Sequence, residues 1–470
     1  MLVGRFNEIK SFENIYGSNN SEFVAVYGRR RVGKTFLIRN VFKERFIFQL
    51  TALANATLDD QLSNFNQNLQ KQHPKFKFNE AKNWFEAFRL LEKVVEKSKK
   101  KKKVLFIDEL PWFDTPKSKF VSALENFWNG FASARKDVLL IVCGSAASWM
   151  INKLINNRGG LHNRVTRKFK INPFTLGECK AFAKYKKIVL NEYNIAQLYM
   201  IFGGIPYYWE QLEKGKSVHQ NIDDICFSEN GILRTEFQNL FRSLFTKADK
   251  HLQIIEVLSK KGIGISREEI LKLCKMTDGG SLTRILTELE ESGFIRKYIP
   301  YGKKTRNSLF QVCDFYTLFY FKFIKNHHFL NKNFWLNAID NPKQRAWSGF
   351  AFEQVCMSHI EQIKKAFGIQ GIETKISSWR SLNQNQGTQI DLLIERRDQI
   401  IQIIEIKFSI KAFVIDKKYE QILRTKIGTF IEESKTNKAV HLGMITSYGI
   451  QKNKYSDIIQ NSIKLTDLFE

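Results

Sequence analysis

Residues Phe23 to Thr35 read FVAVYGRRRVGKT, and the fold turns on them. FVAVY is a short β-branched and aromatic run, the composition of a strand buried on both faces. Gly28 to Thr35 satisfies Gly-x4-Gly-Lys-Ser/Thr, and the apolar-periodic TFLIRNVF that follows reads as a helix. A strand, a glycine loop and a helix in that order form a phosphate cradle. Backbone N–H groups from Gly28, Arg29, Arg30, Arg31, Val32 and Gly33 can curl around phosphate oxygens at a helix N-terminus. Lys34 would then reach the β- and γ-phosphates of a nucleotide such as ATP, and the Thr35 hydroxyl would bind Mg²⁺.

Working outward, Phe46–Leu50, Val104–Ile107 (VLFI) and Val138–Cys143 (VLLIVC) are further short apolar strands. Helical patterns such as Asn83–Lys97 and Lys119–Ala134 lie between them. This alternation predicts an α/β fold with a parallel sheet covered on both faces. A phosphate loop also needs a carboxylate on a neighbouring strand, and VLFIDE supplies Asp108 for the metal and Glu109 to orient or deprotonate a water. Ser145, at the end of LLIVCGS, stands where a polar side chain could sense the γ-phosphate from a strand between the other two. An ordinary strand-end turn is the alternative. Arg158, Arg164 and Arg167 follow, and Arg164 is our candidate for an arginine finger acting on its own or a neighbouring copy's nucleotide, which would imply a homo-oligomer.

The opening VGRFNEIKSF carries Gly4, Arg5 and Glu8 in a Gly-Arg-x-x-Glu box. With GRRRVGKT, FIDELPWF, the CGS strand end, INPFTLGE and GGIPYYW, it resembles the archaeal and bacterial AAA+/STAND-like P-loop ATPases that precede a nuclease-like tail (DUF234 type). The resemblance spans about residues 2 to 209 and implies an ATPase core, a helical lid and a nucleotide-dependent switch. It carries no arginine finger with it, because that element varies among such ATPases.

Beyond Pro173 the pattern is helical to about Thr246. His251–Lys260, then SREEILKLC with Ser266 as cap and Glu269 three residues on, then SLTRILTELEESGF ending at Gly293, give three short helices. The hairpin IRKYIPYGKKTRNSLFQV follows, with Gly302 at its tip. Three helices and a two-stranded wing constitute a winged helix-turn-helix. Arg296, Lys297, Lys303, Lys304 and Arg306 load the wing for phosphate contact, whereas Glu288, Glu290 and Glu291 on the third helix suit a packing role.

Near the C-terminus QIDLLI (389–394) and IIQIIEIKF (400–408) read as a hairpin turning near Asp398. Asp391 then falls beside Glu405, and Glu405 and Lys407, two apart, share a face. Buried carboxylates either pair internally or bind metal. For phosphodiester cleavage, Asp391 and Glu405 would hold Mg²⁺ or Mn²⁺, Lys407 would position water or stabilise developing charge, and Glu353 on an upstream helix would add a carboxylate. This is similar to the PD-(D/E)xK nuclease fold over about residues 349 to 430, with Gln389-Ile390 where the family's proline stands. A salt-bridged structural hairpin is the plain alternative.

Lys and Arg total 74 against 47 Asp and Glu, a net +27 that attracts polyanions such as DNA. No apolar run reaches membrane-spanning length, no secretory leader opens the sequence, and the six cysteines lack zinc-ligand spacing. We therefore expect a cytoplasmic protein without membrane or zinc. Its expected domains are an ATPase core (1–172), a helical lid (173–246), a winged helix (247–330) and a nuclease-like mixed α/β domain (331–470). Two functions fit: an Mg²⁺-dependent ATPase coupled to DNA binding and cleavage, or a nucleotide-operated switch with an inert nuclease-like domain. The tract Lys97–Lys103 reads as a solvated loop, FYTLFYFKFI (315–324) as a core helix, and His327 and His328 as surface residues.

Overall fold

The computed structural model describes residues 2–156, 159–245, 248–327, 333–381 and 387–470. Arg158 and His328 lie outside them. The chain divides into two compact units, Met1–Pro173 with Thr287–Ser292, and Phe174–Leu286 with Gly293–Glu470.

In the first unit, the apolar runs become β1 (Glu22–Tyr27), β2 (Phe46–Thr51), β3 (Lys103–Asp108) and β4 (Val138–Gly144), and an edge strand, β5 (Arg167–Lys170), joins them. All pair in parallel, in the order β2-β3-β4-β1-β5. β4 thus lies between the strand that feeds the glycine loop and the strand that ends in Asp108. β4 is buried at every position, as a central parallel strand must be. β5 was not recognised in the sequence because RKFK has no apolar run; as an edge strand it leaves its side chains mostly exposed. The expected helix Lys119–Ala134 is an α-helix over Phe120–Phe127 that loosens into a π-turn at Trp128–Ala132.

In the 97–103 tract Lys97, Lys99, Lys100 and Lys101 are exposed, as in a solvated loop, and Lys102 is the residue that departs from that expectation. Lys102 is 4% exposed and donates to the carbonyls of Ser18 and Asn20. Lys100 donates to the carbonyls of Glu44 and Phe46, and Lys103 pairs with Asp137 at 2.7 Å. Lys100 and Lys102 thus satisfy carbonyls near the ends of strands and helices, where backbone groups often lack a partner of their own.

The second unit begins with helices, among them Leu176–Tyr185, Glu192–Phe202 and Ile232–Leu244. Helices Asp249–Lys261, Arg267–Cys274 and Gly280–Glu291 follow, the last belonging to the first unit from Thr287 on, with a small antiparallel sheet of β6 (Ile265–Ser266), β7 (Ile295–Tyr298) and β8 (Leu309–Val312) in the order β6-β8-β7. Ser266 and Glu269 form the capping box that their spacing predicts. The run at Phe315–Phe319 is a buried helix. His327 is half-buried, its ring 4.3 Å from Phe334 and 5.2 Å from Phe227.

A second five-stranded sheet closes the chain: β9 (Thr374–Arg380), β10 (Gln389–Arg396), β11 (Ile400–Lys407), β12 (Ala439–Thr446) and β13 (Asn461–Lys464), ordered β13-β12-β11-β10-β9. β9, β10 and β11 pair antiparallel, and β11, β12 and β13 pair parallel. A parallel neighbour requires a crossover, and the helix Lys417–Ser434 provides it. Ile401 and Ile403 pack with Leu423 and Phe430 of that helix in one apolar cluster. No helix among the described residues is long and apolar enough to cross a membrane.

Candidate functional site

The glycine loop is shaped by the two glycines of its motif. Gly28 has φ +135°, and a Cβ there would come within 2.4 Å of the Ile171 carbonyl oxygen. Gly33 has φ +87° and caps the helix Lys34–Val41, a conformation that costs an L-residue strain. Lys34 Nζ donates to the carbonyl oxygens of Gly28 and Arg29 at 3.0 and 2.9 Å, so the ammonium lies across the loop it serves. Arg5, from the opening box, donates to the Val32 carbonyl at 3.3 Å and the Asn172 carbonyl at 2.6 Å. It ties the N-terminal segment both to the loop and to the chain just after β5.

Thr35 Oγ1 donates to Asp108 Oδ2 at 2.9 Å. A hydroxyl and a carboxylate in contact at the mouth of a phosphate loop are the hard oxygen donors Mg²⁺ prefers, so the residues fit that ion. Burial, with Glu109 beside it, raises the Asp108 carboxyl above the ordinary carboxylate range; a cation there would offset that cost. Glu109, at φ +50°, turns its carboxylate onto β4, where Oε2 accepts from Ser145 N at 3.1 Å and Ser145 Oγ at 2.8 Å. Ser145 therefore holds Glu109. Arg164 is exposed in the segment before β5.

At the C-terminal sheet, Leu392 faces Ile404 and Glu395 faces Ile401, which centres the hairpin on residue 398. The pairing of β10 with β9 breaks between Ile390 and Leu393, so an irregularity falls on Asp391; such breaks re-aim side chains. Gln389 Nε2 donates to Asp391 Oδ1. Glu405 Oε1 accepts from the Tyr419 hydroxyl at 2.7 Å and pairs with Lys407 at 2.9 Å, and Oε2 pairs with Lys426 at 2.6 Å. Burial works against the Glu405 charge, but Lys426 and Lys407 outweigh it and hold the carboxyl down at about 2. Burial, reinforced by Asp391, pushes Glu353 up to about 8. The structure thus brings Glu353, Asp391, Glu405 and Lys407 into one electrostatic neighbourhood, and adds two residues that the sequence reading missed.

Tyr419 and Lys426 had a legible signal. They continue the stripe 419, 423, 426, 430 on the helix Lys417–Ser434, a core-facing spacing in which a lysine is out of place. Among the described residues no group of three or more His, Cys, Asp or Glu side chains is gathered to hold a metal ion. Mg²⁺ is commonly held by one or two carboxylates plus substrate oxygens, so Asp391 and Glu405 fit it on that footing.

The β7–β8 hairpin departs from its expected role at one residue. Arg296 turns inward, its guanidinium donating to Gln311 Oε1 and Gln354 Oε1, the latter at 2.8 Å. It is withdrawn from any phosphate. Lys297, Lys303, Lys304 and Arg306 remain exposed, while Tyr301 N donates to the Ser378 carbonyl of β9.

Residues 2–212 match the family described as an ATPase domain predominantly from Archaea. This part of the chain is a P-loop ATPase domain, and the protein is an ATP-hydrolysing enzyme. An uncharacterized protein of Methanocaldococcus jannaschii is 25% identical over 430 residues, covering 90% of this chain and 91% of its own length. An uncharacterized ATP-binding protein of the same organism is 38% identical over 47 residues, which are 10% of this chain and 80% of that protein. Among solved structures, a Walker-type ATPase of Pyrococcus abyssi aligns with TM-score 0.51 at 17% identity, covering 68% of this chain and 96% of its own. That likeness concerns the fold.

Proposed function

We propose that the protein couples ATP hydrolysis to the engagement of DNA and to its metal-dependent cleavage. At the nucleotide, residues 28–35 hold the phosphates and Lys34 moves from its own loop's carbonyls to the β- and γ-phosphate oxygens. Thr35 and Asp108 would hold Mg²⁺, which when bound would neutralise charge developing on the phosphates. Glu109 takes a proton from the water whose oxygen attacks the γ-phosphorus, the bond to the β-phosphate oxygen breaks, and ADP leaves. Ser145 sets where the Glu109 carboxylate waits. Arg164 is the candidate finger, on its own nucleotide or that of a neighbouring copy.

In the second unit we read the helices and sheet between Asp249 and Val312 as a winged helix-turn-helix whose exposed Lys297, Lys303, Lys304 and Arg306 contact phosphates. We read the closing sheet as a PD-(D/E)xK nuclease-like domain. The observation that carries this is topological and chemical together: three antiparallel strands continue through a crossover helix into a parallel fourth, with Asp391 at the hairpin's open end and Glu405 and Lys407 on the adjoining strand. There Asp391 and Glu405 would hold Mg²⁺ or Mn²⁺, which when bound supplies a water of lowered pKa and a polarised phosphate. Lys407 donates to the phosphate oxygen that gains charge. Nicking of supercoiled DNA that depends on Mg²⁺ and is lost in Glu405→Ala, with ATP hydrolysis retained, is the expected result; nicking equal to the parent's overturns the assignment.

A second reading has its own support. Both Glu405 oxygens are engaged by ammonium or hydroxyl groups, the arrangement of a domain that binds without cutting. The protein would then be a nucleotide-operated switch, recognised by an ATP-dependent change in DNA affinity or oligomer size without cleavage.

A further inference from the structure

The function proposed above does not use Lys426. Its ammonium sits on Glu405 Oε2 at 2.6 Å, closer than the catalytic candidate Lys407 sits on Oε1 at 2.9 Å. The lysine comes from the crossover helix, not from the strand, and its side chain is 15% exposed against 36% for Lys407. Its neighbours on the inward stripe are Leu423 and Phe430, both fully buried. A lysine in that row loses hydration, and the lost hydration is recovered only through the carboxylate it meets.

The Glu405 carboxylate has about four lone-pair sites, and protein donors fill three of them: Tyr419 and Lys407 at Oε1 and Lys426 at Oε2. Tyr419 and Lys407 fill Oε1, so a divalent cation on Glu405 would come to Oε2, where it meets the positive charge of the Lys426 ammonium. We propose that Lys426 is a resident counter-ion on Glu405, occupying the position of a divalent cation and displaced from it when the metal binds. This rests on reading Asp391 and Glu405 as a metal site. Lys426 then keeps the carboxylate paired while the site is empty of metal and sets the concentration at which metal enters; it is a positioning residue rather than a catalytic one.

Mn²⁺ binding to the full-length chain tests this, followed by electron paramagnetic resonance without nucleotide or DNA. Parent, Lys426→Met, Lys426→Arg and Asp391→Ala are compared, with thermal unfolding of each metal-free protein as a check on folding. Removing a contacting cation that competes with the metal is expected to tighten Mn²⁺ binding by about tenfold in Lys426→Met, equivalent to roughly 1.4 kcal/mol. Lys426→Arg keeps the competing charge and is expected to bind like the parent, and Asp391→Ala is expected to lose this binding. If Lys426→Met binds Mn²⁺ no more tightly than the parent while Asp391→Ala loses it, the counter-ion role is wrong and the metal site stands. If Asp391→Ala binds as the parent does, the metal reading itself fails.

Discussion

Each unit holds an acidic cluster, and the two satisfy their carboxylates by opposite means. In the ATPase unit, Asp108 and Glu109 meet hydroxyls and backbone N–H groups: Thr35 Oγ1 on one, Ser145 on the other. Burial there acts against the charge without a contacting cation, and the Asp108 carboxyl is raised. In the closing sheet, Glu405 is buried as well but carries two ammonium partners and is held low. Neutral donors leave the buried negative charge uncompensated, which Mg²⁺ can balance, so the first site is arranged for an incoming cation. The second is already balanced by its own lysines. Metal is therefore expected to bind the first site in partnership with ATP and the second in competition with the protein.

The comparison can be broken most severely at the ATPase carboxylates. Glu109→Gln is expected to lower ATP hydrolysis by about 10³-fold, within the range for a lost general base, while ATP binding measured by titration calorimetry is kept. A variant that hydrolyses at the parent rate would remove Glu109 from the chemistry. At the other site, Lys407→Met is expected to reduce DNA nicking by roughly 10² to 10³-fold, as losing one donor to a developing anion does, with ATP turnover unchanged. A loss of both activities together would mean that the two clusters are not chemically independent.

A pH scan sharpens the same contrast with a buried group satisfied as a neutral. His359 Nε2 accepts from Leu176 N at 3.0 Å and its other ring nitrogen meets the Val355 carbonyl at 2.8 Å. A second ring proton would face the Leu176 N–H, and burial lowers this histidine from 6.5 to about 4. The unfolded chain takes up the proton first as pH falls, so the stabilisation is complete above about pH 6.5 and is lost progressively between there and pH 4, by about 3 kcal/mol. Chemical denaturation of the parent should show that loss, and His359→Gln, which keeps an acceptor for Leu176 and a donor for Val355, should flatten it. The smallest effect is expected at Ser145→Ala: about a tenfold change in ATP turnover, about 1.5 kcal/mol for one hydrogen bond to a charged group, with nucleotide affinity preserved. No change would reduce Ser145 to a strand-end turn.

What the amino-acid sequence disclosed follows the locality of each feature. β1, β3 and β4 were legible because strands buried on both faces are unbroken apolar runs, β2 because even at the sheet edge it is mostly apolar, and the glycine loop because its geometry needs particular residues at consecutive positions. The place of β4 between β1 and β3 allowed Ser145 to be put near the nucleotide, but not its hydrogen bonds to Glu109, which depend on the φ of +50° at Glu109. β5 stayed hidden because an edge strand can carry mostly charged side chains, as RKFK does. In the closing sheet the hairpin register followed from a short local turn, which aligned Glu405 with Asp391. Tyr419 and Lys426 approach Glu405 from the helix that follows, where only the stripe they share with Leu423 and Phe430 marks them. Arg296 was read as a surface cation because strand alternation reports a face of the sheet, and cannot report that Gln311 and Gln354 wait on that side.

The central claim is that the closing sheet cuts DNA with a site separate from the one that hydrolyses ATP. Its most direct test is supercoiled-plasmid nicking with Mg²⁺ or Mn²⁺, with and without ATP, by the parent and by Asp391→Ala, with ATP turnover followed in the same samples. The account predicts that the parent nicks and that Asp391→Ala does not, while both hydrolyse ATP at the same rate. Equal nicking by the two proteins, or no nicking by the parent under any of these conditions, would contradict it.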